Sequence, residues 1–419
     1  MDKKLLILGG AEVHCKVVNA AREMGIYTIV TDYLEDSPAK LIADESIMIS
    51  ILDTDKIVEW CRKNKIDGVI NYCNDPAQKV LPIICKKLGL PCYATEEQVD
   101  VLTDKVKFKR ACRRNNVDVI KDYSLEDVLN RNVEYPIIVK PNDSRGSRGQ
   151  TICYSEKDIG IAIQRAQKES RMGIAVIEQY LANCQDFSVT YYVCDGRPYL
   201  IRVCDRYTGN QEENLNRQCI GSICPSKYCD LYTNKVHNRV VGLIESLGIK
   251  NGPVFMQGFV DGDTIRFYDP GFRFPGGEYE MLLKEIYGVD FVKAMIELAI
   301  YGKTSLKNHL KDGLFNLNGR HSVQLPIAGK PGIISKFDGI NSIRKMSQVI
   351  VASQYYNIGD TIPDTGDVKQ RIARVSMVIE KNQSVKDCVK SVQKMIKVED
   401  ENRRSLLATP LNIDNLSDY

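Results

Sequence analysis

A lysine that closes a short apolar strand, and the glycine-rich loop after it, are the first residues in this chain with chemistry to offer. The strand is Tyr135-Pro-Ile-Ile-Val-Lys140-Pro141 and the loop is Ser144-Arg-Gly-Ser-Arg-Gly149. A lysine ammonium is a compact charge on a flexible stem, and glycines let backbone N–H groups close on an anion. Lys140 with Ser144, Gly146, Ser147 and Gly149 therefore forms a candidate phosphate cradle, and Lys105 is a second candidate phosphate ligand. Further along, Glu178-Gln179-Tyr180-Leu181 offers a strand end whose backbone can pair with the edge of an adenine. Asp186 follows as an acceptor for ribose hydroxyls. Phe267-Tyr-Asp269-Pro-Gly271-Phe-Arg273 then places an acid on a strand for a divalent cation and an arginine for charge on a transferred phosphoryl group. Cation and lid, adenine strand, ribose acid, acidic strand with arginine: in that order the residues describe an ATP site, with Asp269 and Arg273 as candidate catalytic residues.

The elements that must hold these groups fall into distinct stretches. Residues 1 to about 95 alternate strand and helix: Leu5–Leu8, Tyr27–Thr31, Ile47–Ile49 and Gly68–Asn71 as strands, Val17–Met24, Ile57–Lys63 and Val80–Leu88 as helices. That alternation predicts a doubly wound parallel sheet. Gly9-Gly10 before a helix and Asp32 at a strand end suggest a dinucleotide site, but Ala11-Glu12-Val13-His14 follows in place of the G-x-G-x-x-G fingerprint. This region is therefore expected to pack against the ATP site and lend a turn to the substrate pocket, with His14 as a pocket or surface residue. A basic helix runs from Asp104 to Asn115, and strands Ile137–Lys140 and Thr151–Tyr154 flank the glycine loop. Strand signals then dominate from 187 to 275, with Asp261-Gly262-Asp263 as a hairpin turn after the strand carrying Gln257. The last segment combines strand patterns at 347–352 and 371–379 with an amphipathic helix at 384–396, and the charged tail from Glu399 is expected to be partly mobile.

Composition narrows the classes. A net charge of +3 on 419 residues gives no argument for nucleic acid or a polybasic membrane contact. No apolar run approaches the roughly 18 residues of a spanning helix, and the chain enters a strand directly after Met1 without signal-peptide architecture. The expected location is cytoplasmic. The 14 cysteines include no C-x-x-C pair; Cys219, Cys224 and Cys229 lack a nearby histidine. They read as reduced thiols serving as small apolar residues, with a metal or redox site as the alternative.

Taken together, these motifs resemble the ATP-grasp superfamily of carboxylate–amine ligases, with an architecture like that of carbamoyl-phosphate synthase and biotin carboxylase. The resemblance covers nearly the whole chain and implies a multidomain α/β and α+β fold. Residues 1–95 resemble the pre-ATP-grasp Rossmann-like domain, including Thr31-Asp-Tyr33 and the stretch Asp36 to Asp44. Residues 96–330 resemble the two-lobed ATP-grasp domain (small lobe about 104–182, large lobe about 183–330), and 331–419 a small α+β C-terminal cap. The resemblance implies ATP and Mg²⁺, with Mn²⁺ as a substitute, small-molecule carboxylate and amine partners, and a homodimer as an option. It implies that ATP converts a carboxylate to an acyl phosphate, which an amine then attacks with release of phosphate. It also assigns Gln257 and Asp269 to the metal. The family usually has an acid where Gln257 stands and E-x-N-x-R where this chain has Asp269-Pro-Gly271-Phe-Arg273, so one anionic ligand remains. Glu278, Glu280 or Asp205 are candidates to complete the shell. A catalytically altered ATP-binding regulatory or scaffold protein is the alternative. Arg202, Asp205, Arg206 and the stretch Asn214 to Pro225 are expected to line or cover the substrate pocket, whose mixed charge suits an amino acid or a sugar acid.

Overall fold

The computed structural model describes residues 3–143, 149–181, 183–209, 212–213, 215, 218–416 and 419. The first unit is a parallel sheet of β1 (Lys4–Leu8), β2 (Tyr27–Thr31), β3 (Glu45–Ile47) and β4 (Gly68–Ile70) in the order β3-β2-β1-β4. Leu5 to Leu8 are all fully buried, because helices cover both faces of such a sheet. Leu5 and Ile7 join one core cluster, Leu6 and Leu8 another.

The turn after β1 is filled with protein. Gly9 has φ +110°, and a Cβ there would meet Asn74 Nδ2 at 2.8 Å and His14 Cε1 at 2.9 Å. Asp32 accepts from the Gly10 and Leu34 backbone N–H groups at 2.8 and 2.9 Å. Its carboxylate thus holds its own chain. His14 is buried, with Nδ1 3.3 Å from the Ala11 carbonyl oxygen, and burial pushes its pKa down to about 4. It is a packed neutral imidazole and neither lines the large cavity nor reaches the surface.

A second, antiparallel sheet contains β5 (Asp122–Tyr123), β6 (Ile137–Pro141), β7 (Thr151–Cys153) and β8 (Ala175–Gln179), ordered β5-β8-β6-β7. Helix Ile159–Glu169 backs it, sharing a core with Ile137, Val139, Cys153 and Ile177. The register sets Ile138 opposite Glu178 and Lys140 opposite Val176.

The third sheet is the frame of the molecule. It comprises β9 (Gln185–Cys194), β10 (Arg197–Thr208), β11 (Cys219–Cys224), β12 (Gly252–Asp261), β13 (Thr264–Gly271) and β14 (His321–Ala328), with strands Arg371–Ile379 and Val349–Gln354 beyond β14. The order is β13-β12-β9-β10-β11-β14, then 371–379, then 349–354. One ladder therefore runs from the hairpin carrying Asp269 across residue 330 into the C-terminal segment. Alternation along β9 sends Phe187, Val189, Tyr191 and Val193 into an apolar core with helix His237–Ser246. The opposite face carries Asp186, Ser188 and Thr190. Across the sheet on that face, Arg206 pairs with Asp186 and Ser222, Ser222 with Gln324, and Gln324 with Ser376. Small and polar side chains thus form a floor.

Helices Tyr279–Tyr287 and Phe291–Tyr301, which the sequence pattern did not single out, share one apolar cluster with Leu5, Ile7 and Val17 of the first unit. Helix Val385–Met395 buries Val385, Cys388, Val389 and Val392 at the helical spacing expected of an amphipathic segment. The tail is packed rather than partly mobile. Leu406, Leu411 and Leu416 are buried among its charges, and the Ala408 N–H donates to the Ala328 carbonyl at 3.0 Å. No described helix is long and apolar enough to cross a membrane.

Candidate functional site

A cavity of about 990 Å³ opens over the polar floor, bounded by the small antiparallel sheet and by the first unit. Lys105, Lys140, Glu178 to Leu181, Asp186, Gln257, Asp269 and Arg273 all line it. The residues that sequence spacing nominated therefore converge, apart from the loop. Gly149 is described: its φ is +69°, and a Cβ would sit 2.7 Å from Glu169 and 2.8 Å from Pro141, so only glycine closes the loop onto β6. Ser144, Gly146 and Ser147 lie outside the described residues.

Glu178 is the best-defended charge in the site. It is 1% exposed, inside β8 rather than beyond a strand end. Lys140 Nζ stands 2.5 Å from Oε2 and Lys109 Nζ 2.8 Å from Oε1. Burial alone would raise its pKa, but the two ammonium groups outweigh that and hold it at about 2. Lys109 also pairs with Asp122, which Arg113 reaches from the same helix, Lys105–Arg114. Glu178 thus aims Lys140 rather than presenting a carboxylate to a base. In the strand that follows, Gln179 N–H donates to the Lys121 carbonyl and Tyr180 N–H to the Pro136 carbonyl, both at 3.0 Å. Among the described residues the Leu181 N–H has no acceptor, which makes it the donor available to a flat heterocycle here. Phe259 and Tyr268 stack nearby with centroids 5.1 Å apart, and Lys140 lies 5.3 Å above the Tyr268 ring.

Asp186 accepts from Arg206 Nη1 at 2.9 Å and from Tyr268 OH at 3.1 Å. Burial still raises its pKa despite those partners. Lys105 donates to the Asn142 carbonyl at 3.2 Å and lies 3.7 Å from Asp269 Oδ1. Asp269 sits directly opposite Gln257 across the β12–β13 ladder, so carboxylate and amide face the cavity side by side.

Arg273 is 8% exposed and fixed from two sides. Its Nε donates to Asp75 at 2.6 Å and its Nη1 to the Phe274 carbonyl at 2.6 Å. The Phe255 ring lies 5.0 Å from the guanidinium carbon. Burial works against the charge, but Asp75 keeps its pKa above the ordinary arginine value. The same ring explains Gly271. A Cβ at that position would stand 2.1 Å from Phe255 Cε1, so no asparagine fits unless Phe255 moves.

Sequence spacing missed Asp75 and Gln78. They begin helix Asp75–Leu88 after β4, where Gln78 Nε2 donates to Asp75 at 2.9 Å and Gln78 Oε1 accepts from Phe272 N–H at 3.0 Å. A signal was available: β1 and β4 flank the point where strand order reverses, and ligands of such sheets gather beyond the carboxyl ends of those strands. Three other expectations fail on geometry. Asp205 is fully buried and accepts from Ser226 Oγ at 2.7 Å, Lys227 N–H at 3.0 Å and Tyr419 OH. Glu278 lies 3.6 Å from Lys16 and 3.5 Å from Arg374, and Glu280 also pairs with Lys16. None of the three lines the cavity. Among the described residues no group of three or more His, Cys, Asp or Glu side chains could hold a metal. Arg202 and Arg206 do line the cavity, as do Gln218 to Ile220 and Ser222; Asn214 lies outside the described residues.

Three sheets closing over one cavity in this way define the ATP-grasp fold. The chain has a TM-score of 0.74 with phosphoribosylglycinamide synthetase from Anaerococcus prevotii, at 20% identity over 96% of this chain and 100% of that one. With an L-amino acid ligase from Bacillus licheniformis the TM-score is 0.76, at 16% identity over 96% and 99%. Residues 104–268 match the family described as carbamoyl-phosphate synthase L chain, ATP binding domain. A formate-dependent phosphoribosylglycinamide formyltransferase of Maridesulfovibrio salexigens is 27% identical over 177 residues, 41% of this chain and 45% of that protein. The chain thus spans about half the length of the curated relatives it matches.

Proposed function

We propose that this protein is an ATP-dependent ligase that activates a small carboxylic acid as an acyl phosphate and joins it to an amine, releasing ADP and phosphate. The observation that carries this reading is the shared cavity. Lys105, Lys140 and the open Leu181 N–H line the same cavity as Asp269, Gln257 and an Arg273 pre-aimed by Asp75. Nucleotide and acid would meet without a conformational step across separate sites.

The residues present fit both groups. An adenine placed at Leu181 would lie beside Ile138 and Phe259, with ribose toward Asp186 and phosphates toward Lys140 and Lys105. Asp269 and the Gln257 amide oxygen are hard oxygen donors, and Mg²⁺ is commonly held by one or two carboxylates with substrate phosphates supplying the rest. Bound there, the ion would neutralise phosphate charge during transfer. Lys105 and Lys140 offset charge on the nucleotide. Arg273 stabilises negative charge as the acid's oxygen attacks the terminal phosphorus. Gly276 and Gly277 line the cavity beside Arg273 and bring backbone close to the acid. Gln324 fixes that loop by donating to the Gly277 carbonyl. No covalent enzyme intermediate is required; positioning and charge carry the reaction.

The test is ADP release with Mg²⁺ and pooled small carboxylates, with and without a pool of amines. Turnover that requires a particular acid, and is lost in Asp269→Asn, supports the ligase. Tight ATP binding with no acid-stimulated release in any pool removes it and leaves a nucleotide-binding regulatory protein.

A further inference from the structure

Most charges along the cavity wall are matched before any ligand arrives. Lys140 has Glu178, Arg206 has Asp186 and Arg273 has Asp75. Arg202 does not follow that pattern. It is 5% exposed and lines the cavity floor, yet no acid lies within ion-pair distance among the described residues. Its hydrogen-bond partners are hydroxyls: Nη1 donates to Ser188 Oγ at 2.9 Å and Nη2 to Ser222 Oγ at 2.7 Å, while the Tyr279 ring lies 5.2 Å away. The groups nearby that favour its charge are the buried thiols of Cys204 and Cys224, and against burial the Cys224 hydrogen bond and this guanidinium lower the Cys204 pKa to about 6. The Nε–H is buried with no acceptor among the described residues.

A buried guanidinium without a carboxylate partner is expensive, and a buried donor without an acceptor adds to the cost. A purely structural arginine at this point would be expected to have an acid at 188 or 222, the two positions that already touch it. Serines there orient the planar fork without neutralising it. The fork is left charged, rigid and matched in shape to a carboxylate or a phosphoryl group. Its place in the sheet is equally specific. Ser188 pairs in register with Gln257, and Gln257 with Asp269. The guanidinium is thus held by the residue next in line from the candidate metal ligands.

We propose that Arg202 is the receptor for the oxyanion at the reacting end of the cavity: the carboxylate of the acid before transfer, and the phosphoryl group it carries afterwards. In that step the acid's oxygen forms the bond to the terminal phosphorus of ATP, the bond to the bridging oxygen breaks, and ADP leaves with that electron pair. Arg202 donates to the anion throughout and neither gains nor loses a proton. This deepens the ligase reading and rests on it for the identity of the oxyanion.

The experiment uses the full chain with Arg202→Gln and Arg202→Lys, the second keeping the charge in case the first folds poorly. Inorganic phosphate serves as a probe that needs no knowledge of the substrate. In the presence of MgADP, phosphate is expected to stabilise the wild-type protein against heat, and Arg202→Gln should lose that response while MgADP alone still stabilises it. In turnover, Arg202→Gln should lower acid-dependent ADP release about 100-fold, as removal of an oxyanion donor does, with ATP affinity measured without acid changed less than about threefold. Arg202→Lys should fall between the two. Millimolar guanidinium should restore part of the turnover of Arg202→Ala, which repair of a packing defect would not do. Equal protection by phosphate in wild type and Arg202→Gln overturns the proposal. So does a loss confined to ATP affinity. If no acid stimulates ADP release in the wild type, the ligase reading fails by itself, and the phosphate response still decides whether Arg202 is an anion receptor.

Discussion

At the small-sheet end of the cavity two lysines share one buried acid, whereas on the floor Arg202 donates to hydroxyls and has no carboxylate partner among the described residues. The two regions meet the same problem, a cation out of water, in opposite ways. Lys140 is held in place whether or not a nucleotide is present, because Glu178 already balances it. Arg202 is held in place by hydroxyl dipoles and has no carboxylate to balance it among the described residues. The first arrangement stores a rigid cradle in the folded protein; the second leaves attraction for a ligand to complete. A buried ion pair and a buried unpaired ion are therefore different statements about when a charge is used.

The largest effect that tests this contrast lies between the two ends. Asp269→Asn should reduce acid-stimulated ADP release by about 100-fold or more, with ATP affinity in the absence of acid much less affected; steady-state kinetics beside a nucleotide titration would show it. Next, Glu178→Gln leaves the two lysines without their buried anion and should cost about 3–5 kcal/mol, read as a lower denaturation midpoint that saturating ATP partly restores. If the midpoint does not move, the cradle is not balanced in advance. Gly271→Asn drives a Cβ into Phe255 and should cost about 1–3 kcal/mol, and the added substitution Phe255→Ala should recover part of the loss in the same denaturation assay. Arg202→Met should do the reverse of Glu178→Gln. Removing an unneutralised buried charge should leave the ligand-free protein as stable as before or about 1 kcal/mol more so, and a fall in melting temperature would erase the difference between the ends.

A further set of expected effects is in pH. Glu178 has a folded pKa of about 2 against an ordinary 4.5, so its contribution is complete above about 4.5 and fades as pH falls toward 2. His14 has a folded value of about 4 against 6.5. The unfolded chain takes up that proton first, so stability falls as pH drops from 6.5 toward 4. Melting temperatures from pH 7 to 4 should show the histidine component, and His14→Gln should flatten it.

Much of the wall was legible in the sequence because its elements are local. Ile137 to Val139 and Ala175 to Ile177 read as strands from their apolar runs, and Lys140, Asp269 and Arg273 came with them to the cavity. What escaped depended on partners far along the chain. Glu178 read as a strand-end carboxylate because nothing near it reveals Lys109 on another element. Asp75 was hidden for the same reason: its role is set by Arg273, which the fold brings to it across nearly two hundred residues. The departure at Gly271 looked like the loss of a ligand and is also a packing requirement of Phe255, a neighbour visible only once β12 and β13 are paired. The tail illustrates the limit of composition, since its charges outnumber the three leucines that anchor it.

The frame sheet also imposes an order on synthesis. β11 ends at Cys224, but its outer neighbour in the ladder does not begin until His321, and the strand beyond that not until Arg371. While the ribosome adds those residues, β11 presents an open row of backbone donors and acceptors, the kind of edge on which chains join one another. Nascent chains stalled between 225 and 320 should therefore be the most aggregation-prone form of this protein, and release from the ribosome before residue 379 should yield no native sheet.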